Sequence, residues 1–123
     1  KEVWLGQDVI NRVVYDASVH MSSIPVIPST DTLKAVDDDG NVTGTVDRSR
    51  TVRVQTPQVF AADLLKAALQ SAIAGGATIT DDCSAVERMG KEVHLTEGSE
   101  ENIKITTPVD LAIAEAILQR RGE

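Results

Sequence analysis

Apolar and polar positions along the chain change period several times, and each change marks an element. Over Gly6–Ser22, Val9, Ile10, Val13, Val14 and Ala17 recur at helical spacing, which predicts an amphipathic helix. Ser23–Pro28 is short, apolar and β-branched and reads as a strand whose two prolines keep it from being ladder-bonded along its whole length. Thr32–Val36 and Val42–Val46 then alternate about Asp37-Asp38-Asp39-Gly40-Asn41, a hairpin signal because glycine accepts the positive φ that such a turn requires. Two strands with so little apolar surface are marginal in water, so this arm is expected to lie against its own domain or a partner chain.

The second half repeats the alternation of periods. Thr51–Thr56 reads as a strand, and Phe60–Ala74 as a helix with Phe60, Leu64, Leu65, Ala68, Leu69 and Ile73 on one face and Gly75-Gly76 at its end. Thr80 or Asp81 caps a helix over Asp82–Met89 that Gly90 closes. Glu92–Glu97 and Asn102–Thr106 read as strands. Thr107-Pro108-Val109-Asp110 is a helix start with capping-box spacing, followed by a buried stripe of Leu111, Ala114, Ile117 and Leu118. Strands alternating with helices predict an α/β layer structure with a largely parallel sheet.

Composition and charge narrow the function classes. The chain has 123 residues, of which 41% are hydrophobic and 2% aromatic, so one core built from Val, Ile, Leu and Ala is expected. No apolar run approaches the roughly 18 residues of a membrane span. The net charge of −7 argues against non-specific binding to nucleic acid or anionic membrane. Lys34, Arg48, Arg50 and Arg53 nevertheless place four of the twelve cations within twenty residues, either as a solvated strand face or as a dock for an anion. The chain opens on Lys1 without a charged n-region and apolar h-region, as expected of a piece of something longer and not of a secretory precursor. A cytoplasmic location is expected.

Most single candidates for chemistry fall away. His20 and His94 have no Asp, Glu or second His at metal-ligand spacing on a common helix face. Cys83 stands in the first turn of a predicted helix, which lowers a thiol pKa, but it has no recognisable histidine partner and reads as a bystander. Asp37, Asp39 and Gly40 resemble the middle of a calcium loop, yet Ala35 and Val46 occupy positions where that loop needs acids. Asn41-Val42-Thr43 is a glycosylation sequon without meaning unless the chain is secreted. There is no G-x-S-x-G, Walker loop or G-x-G-x-x-G.

What remains is a spaced set of strand-end threonines (Thr32, Thr56, Thr80) with Arg48 and Lys104 as separated cations. Such a kit suits a phosphorylated polyol, with hydroxyls bonding hydroxyls, Arg gripping phosphate bidentately and Lys adding a point charge. A purely structural reading is also physical, and from the residues alone it comes first: Thr32 is β-branched in a strand, Thr56 precedes a proline, and Thr80 reads as a helix cap.

The runs D-T-L-K, T-V-D-R, Q-T-P-Q-x-F, T-I-T-D-D, E-G-x-x-x-N-I-K-I-T-T-P-x-D-L and A-x-A-I-L resemble the C-terminal half of the 2-C-methyl-D-erythritol 4-phosphate cytidylyltransferases of the non-mevalonate isoprenoid pathway, over essentially the whole chain. The resemblance implies a Rossmann-like α/β nucleotidyltransferase sheet, of which residues 1–123 are the C-terminal part. A protruding β-hairpin arm over about 29–52 would hook over a second subunit of a homodimer. It implies transfer of CMP from CTP to methylerythritol phosphate with release of pyrophosphate and with Mg²⁺ present. By motif, Thr32 and Arg48 are substrate contacts made across the dimer, and Thr56, Thr80 and Lys104 are contacts from the body. Arg48 and Lys104 would hold the substrate phosphate, a positioning and charge role. The glycine-rich CTP loop and the acidic metal-linked segment of the family would precede this chain, and Lys1-Glu2 departs from the family's Arg-Pro, so the 123-residue chain alone is expected to be inactive. Two other readings stand beside this one: a sister enzyme acting on a pentitol phosphate such as ribitol 5-phosphate, and a non-catalytic dimerisation module.

Overall fold

A computed structural model describes residues 7–122; Gly6, where the first helix was expected to begin, lies outside the described residues. The elements run α1 (Gln7–His20), β1 (Ser22–Pro28), β2 (Lys34–Val36), β3 (Val42–Thr45), a 3₁₀ turn (Arg48–Arg50), β4 (Val52–Val54), β5 (Val59–Phe60), α2 (Ala62–Ala74), α3 (Asp82–Arg88), β6 (Leu95–Glu97) and α4 (Pro108–Arg121).

β1 is the spine of a four-stranded mixed sheet. Along one edge it pairs in parallel with β6, Ile24 facing Leu95 and Val26 facing Glu97. Along the other it pairs antiparallel with β4 (Val26 to Val54) and then with β5 (Ser23 to Val59). The sheet is therefore not largely parallel as expected. The arm leaves β1 and returns beside its end, so the chain runs backward along β1 through β4 and β5. Only the longer connection through α2 and α3 lets β6 run in the direction of β1, since parallel neighbours need a crossover.

Of the positions at helical spacing in α1, Val9, Val13 and Ala17 are buried with Ile24 of β1, whereas Val14 is 51% exposed. A second nucleus joins α2 to α3: Ala68, Ala85 and Val86 are fully buried, and Phe60, Leu64, Leu65, Leu69, Ile79, Met89 and Val93 pack against them. Small residues at this crossing let the two helices approach closely.

Four expectations are corrected. Phe60 belongs to β5, because Val59 and Phe60 pair with Ser23 and Ser22, and α2 starts only at Ala62. Ile73 is 79% exposed, and Ala72 takes the inward position on α2. Leu111 is 55% exposed, because the inward stripe of α4 begins one turn later at Ala114 and Ile117. Residues 102–106 form a loop despite their alternation: the Asn102 N–H turns back to the Ser99 carbonyl and the Ile103 N–H to that of Glu101, which removes these donors from any ladder.

The cap signals hold. Thr107 accepts from the Asp110 N–H while the Asp110 side chain accepts from the Thr107 N–H, with Pro108 at the first helical turn and Gly122 left-handed after the last. Asp81, not Thr80, caps α3. The hairpin also forms, with Gly40 at φ 84° and Asp37 Oδ1 accepting from the Asp39 and Asn41 N–H groups. All of β2 and β3 is exposed.

Candidate functional site

The ladder between β1 and β4 ends at Gln55, whose N–H donates to the Pro25 carbonyl at 2.8 Å, and does not resume until β5. Thr56-Pro57-Gln58 fills the interruption, with the Thr56–Pro57 peptide cis. A cleft of about 280 Å³ opens here, lined by Ile27, Arg53, Val54, Gln55, Thr56, Gln58, Asp81, Asn102 and Lys104. Beside Ile27 of β1 and Arg53 and Val54 of β4, three further stretches of chain meet in it: the β4–β5 connection, the cap of α3 and the loop after β6.

Three side-chain amides join these stretches. Gln55 Nε2 donates to the carbonyls of Ser99 (2.7 Å) and Asn102 (3.1 Å), while Gln55 Oε1 accepts from the Ser99 N–H (3.1 Å) and Asn102 Nδ2 (3.4 Å). Asn102 Nδ2 also donates to the Thr56 carbonyl at 2.8 Å. On the other side Gln58 Nε2 donates to Asp81 Oδ2 at 3.0 Å, and Gln58 Oε1 accepts from the Cys83 N–H at 3.2 Å. Each glutamine uses both a donor and an acceptor, which fixes the amide orientation by partner chemistry.

Electrostatically the cleft favours an anion. Arg53 and Lys104 line it against a single carboxylate, that of Asp81. Hydrogen bonds from Ser84 foremost, and then from Gln58, hold the Asp81 carboxyl below the usual range despite some burial. Asn102 is 6% exposed, and its Oδ1 is a buried acceptor without a hydrogen-bond partner among the described residues. Cations, amides and a threonine around one polar cleft can bind a hydroxylated, anionic molecule.

The five residues expected at a site divide into three places. Thr56 and Lys104 line the cleft together. Thr80 adjoins it but is exposed, with its hydroxyl 2.9 Å from that of Ser84 beside Asp81. Thr32 and Arg48 stand on the arm, both exposed; Arg48 Nη1 donates to the Thr30 carbonyl at 2.9 Å and so braces the arm's base. Neither lines the cleft of its own chain. Gln55, Gln58 and Asn102 were not singled out in the sequence, although the first two flank Thr56 in the Q-T-P-Q run and Asn102 precedes Lys104 by two positions.

The expectations for the remaining candidates need one correction and gain one support. Asp16 lies one helical turn before His20, and the fold brings His94 to both, so the histidines do have an acidic partner. Cys83 is buried, and burial first, then the hydrogen bond and charge of Glu87, push its thiol up to about 12; it is an inert thiol in spite of its place at a helix start.

The fold and cleft define a mixed α/β domain that presents a cationic, amide-braced pocket where a strand ladder breaks. Comparison with known proteins agrees at a finer level. The sequence profile of the 2-C-methyl-D-erythritol 4-phosphate cytidylyltransferases matches residues 3–120, and the chain belongs to that family. It is 45% identical to the enzyme of that name from Symbiobacterium thermophilum over 118 residues, 96% of this chain and 50% of the relative. The Saccharopolyspora erythraea enzyme is 52% identical over 112 residues, 91% of this chain and 47% of that one. Among solved structures, the Thermus thermophilus enzyme superposes with a TM-score of 0.82 at 34% identity, covering 94% of this chain and 57% of that one. An Anaerococcus prevotii 4-diphosphocytidyl-2C-methyl-D-erythritol synthase gives 0.83 at 30% identity, covering 94% of this chain and 54% of that one. The chain spans about half the length of the curated relatives it matches.

Proposed function

We propose that this chain is the acceptor-binding and arm-bearing portion of an enzyme that transfers CMP from CTP to 2-C-methyl-D-erythritol 4-phosphate, releasing pyrophosphate. The observation that carries the reading is the cationic cleft in which Thr56 and Lys104 meet, in a chain of this family. A phosphate oxygen of the acceptor attacks the α-phosphorus of CTP, and the bond from that phosphorus to the bridging oxygen breaks as pyrophosphate leaves. Lys104 holds the acceptor phosphate, and Thr56 and Thr80 offer hydroxyls to the polyol. Arg48 and Thr32 reach the site of a second subunit from the arm. Their work is alignment and charge neutralisation, so no proton need pass through them.

The arm supports a homodimer on physical grounds. Leu33, Val36 and Val42 are 48%, 61% and 61% exposed, and the two strands carry no buried residue, so a second protomer offers them the surface they lack. Mg²⁺ with CTP would neutralise phosphate charge. Among the described residues the cleft does not fit that ion: Asp81 is its only carboxylate, and both its oxygens already accept from Ser84 and Gln58. The metal and the CTP loop are accordingly assigned to groups outside this chain, and the chain alone is proposed to be inactive. No helix among the described residues is long and apolar enough to cross a membrane. A cytoplasmic location is part of the proposal and rests on the family reading alone.

The test joins this chain to the N-terminal half of the Symbiobacterium thermophilum relative and measures pyrophosphate release. Lys104→Ala and Arg48→Ala should each lower kcat/KM about 10²-fold or more, the scale for removing one preorganised charge donor. Unchanged turnover would overturn the assignment. Ribitol 5-phosphate assayed alongside methylerythritol phosphate decides the acceptor, and a preference for the pentitol would refute this one.

A further inference from the structure

The end of α1 and the start of β6 bring together a group of ligating side chains that the cleft does not use. Asp16 and His20 occupy successive turns of α1, and His94 immediately precedes β6. One ligand atom from each lies within 4.8 Å of the others. His94 Nε2 is 3.0 Å from Asp16 Oδ2, and the rings of His20 and His94 stack with centroids 3.7 Å apart and planes at 12°. None of the three lines the cleft of Thr56 and Lys104. We propose that Asp16, His20 and His94 form a binding site for a divalent transition-metal ion of the zinc class, clipping the C-terminal end of α1 to the approach of β6.

The donor set selects the ion class. Two imidazoles and one carboxylate suit Zn²⁺ and its borderline neighbours, whereas Mg²⁺ and Ca²⁺ prefer oxygen shells. The spacing also fits. Two ligands at about 2.0–2.1 Å from a tetrahedral ion lie roughly 3.3 Å apart, and on an octahedral ion about 2.9 Å. The His94–Asp16 pair, at 3.0 Å, is already close to such an edge.

The carboxylate has the outer support that ligating carboxylates carry. Thr96 Oγ1 donates to Asp16 Oδ2 at 2.6 Å, Ser23 Oγ reaches the same oxygen at 3.4 Å, and the Ser23 and Thr96 hydroxyls bond each other. All these contacts fall on Oδ2, the oxygen that also faces His94 Nε2, and hold it in place. Ser23 and Thr96 are buried, so the support is rigid. A cavity of about 130 Å³ beside the histidines, lined by His20, Ser22, Glu92, Val93 and His94, leaves room for a completing water.

One movement is required. An ion lies in the plane of each imidazole that binds it, and two nearly parallel rings cannot both aim at one ion. His20 is the ring that turns. It is exposed, no hydrogen bond holds it among the described residues, and it ends α1 just before Met21, whose φ of 69° breaks the helix. Asp16 and His94 stay as anchors. Binding therefore places the ion between His94 and Asp16 and unstacks the rings.

Isothermal titration of Zn²⁺ into the metal-stripped chain, with excess Mg²⁺ present, tests the site. One equivalent should bind with micromolar or tighter Kd. His94→Ala should weaken it about 100-fold, and His20→Ala, at an exposed position whose ring contact is the stack on His94, about 10-fold or more. Co²⁺ should give a d–d spectrum that His20→Ala alters, and the His20 ring proton should shift in NMR as the stack opens. Saturation only at millimolar Zn²⁺, competition by Mg²⁺, or undiminished binding in folded His20→Ala would each overturn the proposal.

Discussion

Gln55 and Gly98 provide the sharpest test of how the cleft is held. Gly98 is buried, and a Cβ built on it falls on Gln55 Oε1, far inside contact distance, and 3.1 Å from the Val26 carbonyl oxygen. The glycine is thus required by the close approach of Gln55 and not by its φ. The Gln55 amide makes four hydrogen bonds to the Ser99–Asn102 loop, one of them long at 3.4 Å. With each worth about 1 kcal/mol net, and with loop backbone groups left part-buried and unpaired, Gln55→Ala should cost about 2–4 kcal/mol. Gly98→Ala must expel the same amide and press on Val26, so its cost should be similar, about 2–4 kcal/mol. In the Gln55→Ala background the side-chain clash is gone and only the Val26 contact remains. The double variant should therefore cost little more than either single one, with a coupling of at least about 1 kcal/mol. Urea unfolding of the four proteins, followed by circular dichroism with a common m-value, measures the cycle. Additivity within about 0.5 kcal/mol would refute the shared strut, as would a Gln55→Ala cost below about 1 kcal/mol.

Three further outcomes follow from named groups. At α4, Thr107→Ala should destabilise by about 1 kcal/mol through loss of the cap. The Asp110 carboxyl is held below its ordinary range first by the Thr106 N–H and then by the Thr106 hydroxyl and Thr107 N–H. Its folded-state pKa is the lower one, so its contribution is complete above about 3.9 and is lost as pH falls through the folded value; Asp110→Asn should flatten that acid limb of the stability curve. Cys83, with its thiol pushed up to about 12, should label with iodoacetamide at pH 8 no faster than the chain opens. Rapid labelling in native buffer would contradict its burial.

The parts of the fold written in periodicity and caps were legible. Val9, Val13 and Ala17 repeat at helical spacing because they face β1, and Thr107 with Asp110 announces α4 in four residues. What failed were elements whose pattern is real but whose partners lie elsewhere. Ile103 and Ile105 alternate like a strand, yet Asn102 folds its backbone into turns and the segment becomes the wall of a cleft. Ile73 looks like core until Ala72 takes the inward place, because the closeness of α2 to α3 favours the smaller side chain. The direction of β4 and β5 was hidden for a different reason: it depends on where the arm returns, which no local pattern records.

Site residues are encoded differently from core residues. Lys104 and Thr56 could be named through their motif neighbourhoods, because nothing in their own local structure marks them. Gln55 and Asn102 were passed over because an amide carries neither charge nor periodicity. Yet these amides let two distant stretches keep one geometry, each bonding backbone groups more than forty positions away. Arg48 shows the complementary case. Its guanidinium is exposed and, among the described residues, hydrogen-bonds the Thr30 carbonyl, a bracing contact at the arm's base. If the proposed dimer forms, the same exposure that makes the arm costly in isolation is what lets Arg48 reach a second cleft. The arm's missing core and a further cation for a cleft already lined by Arg53 and Lys104 then have one source, because each is supplied by the other protomer.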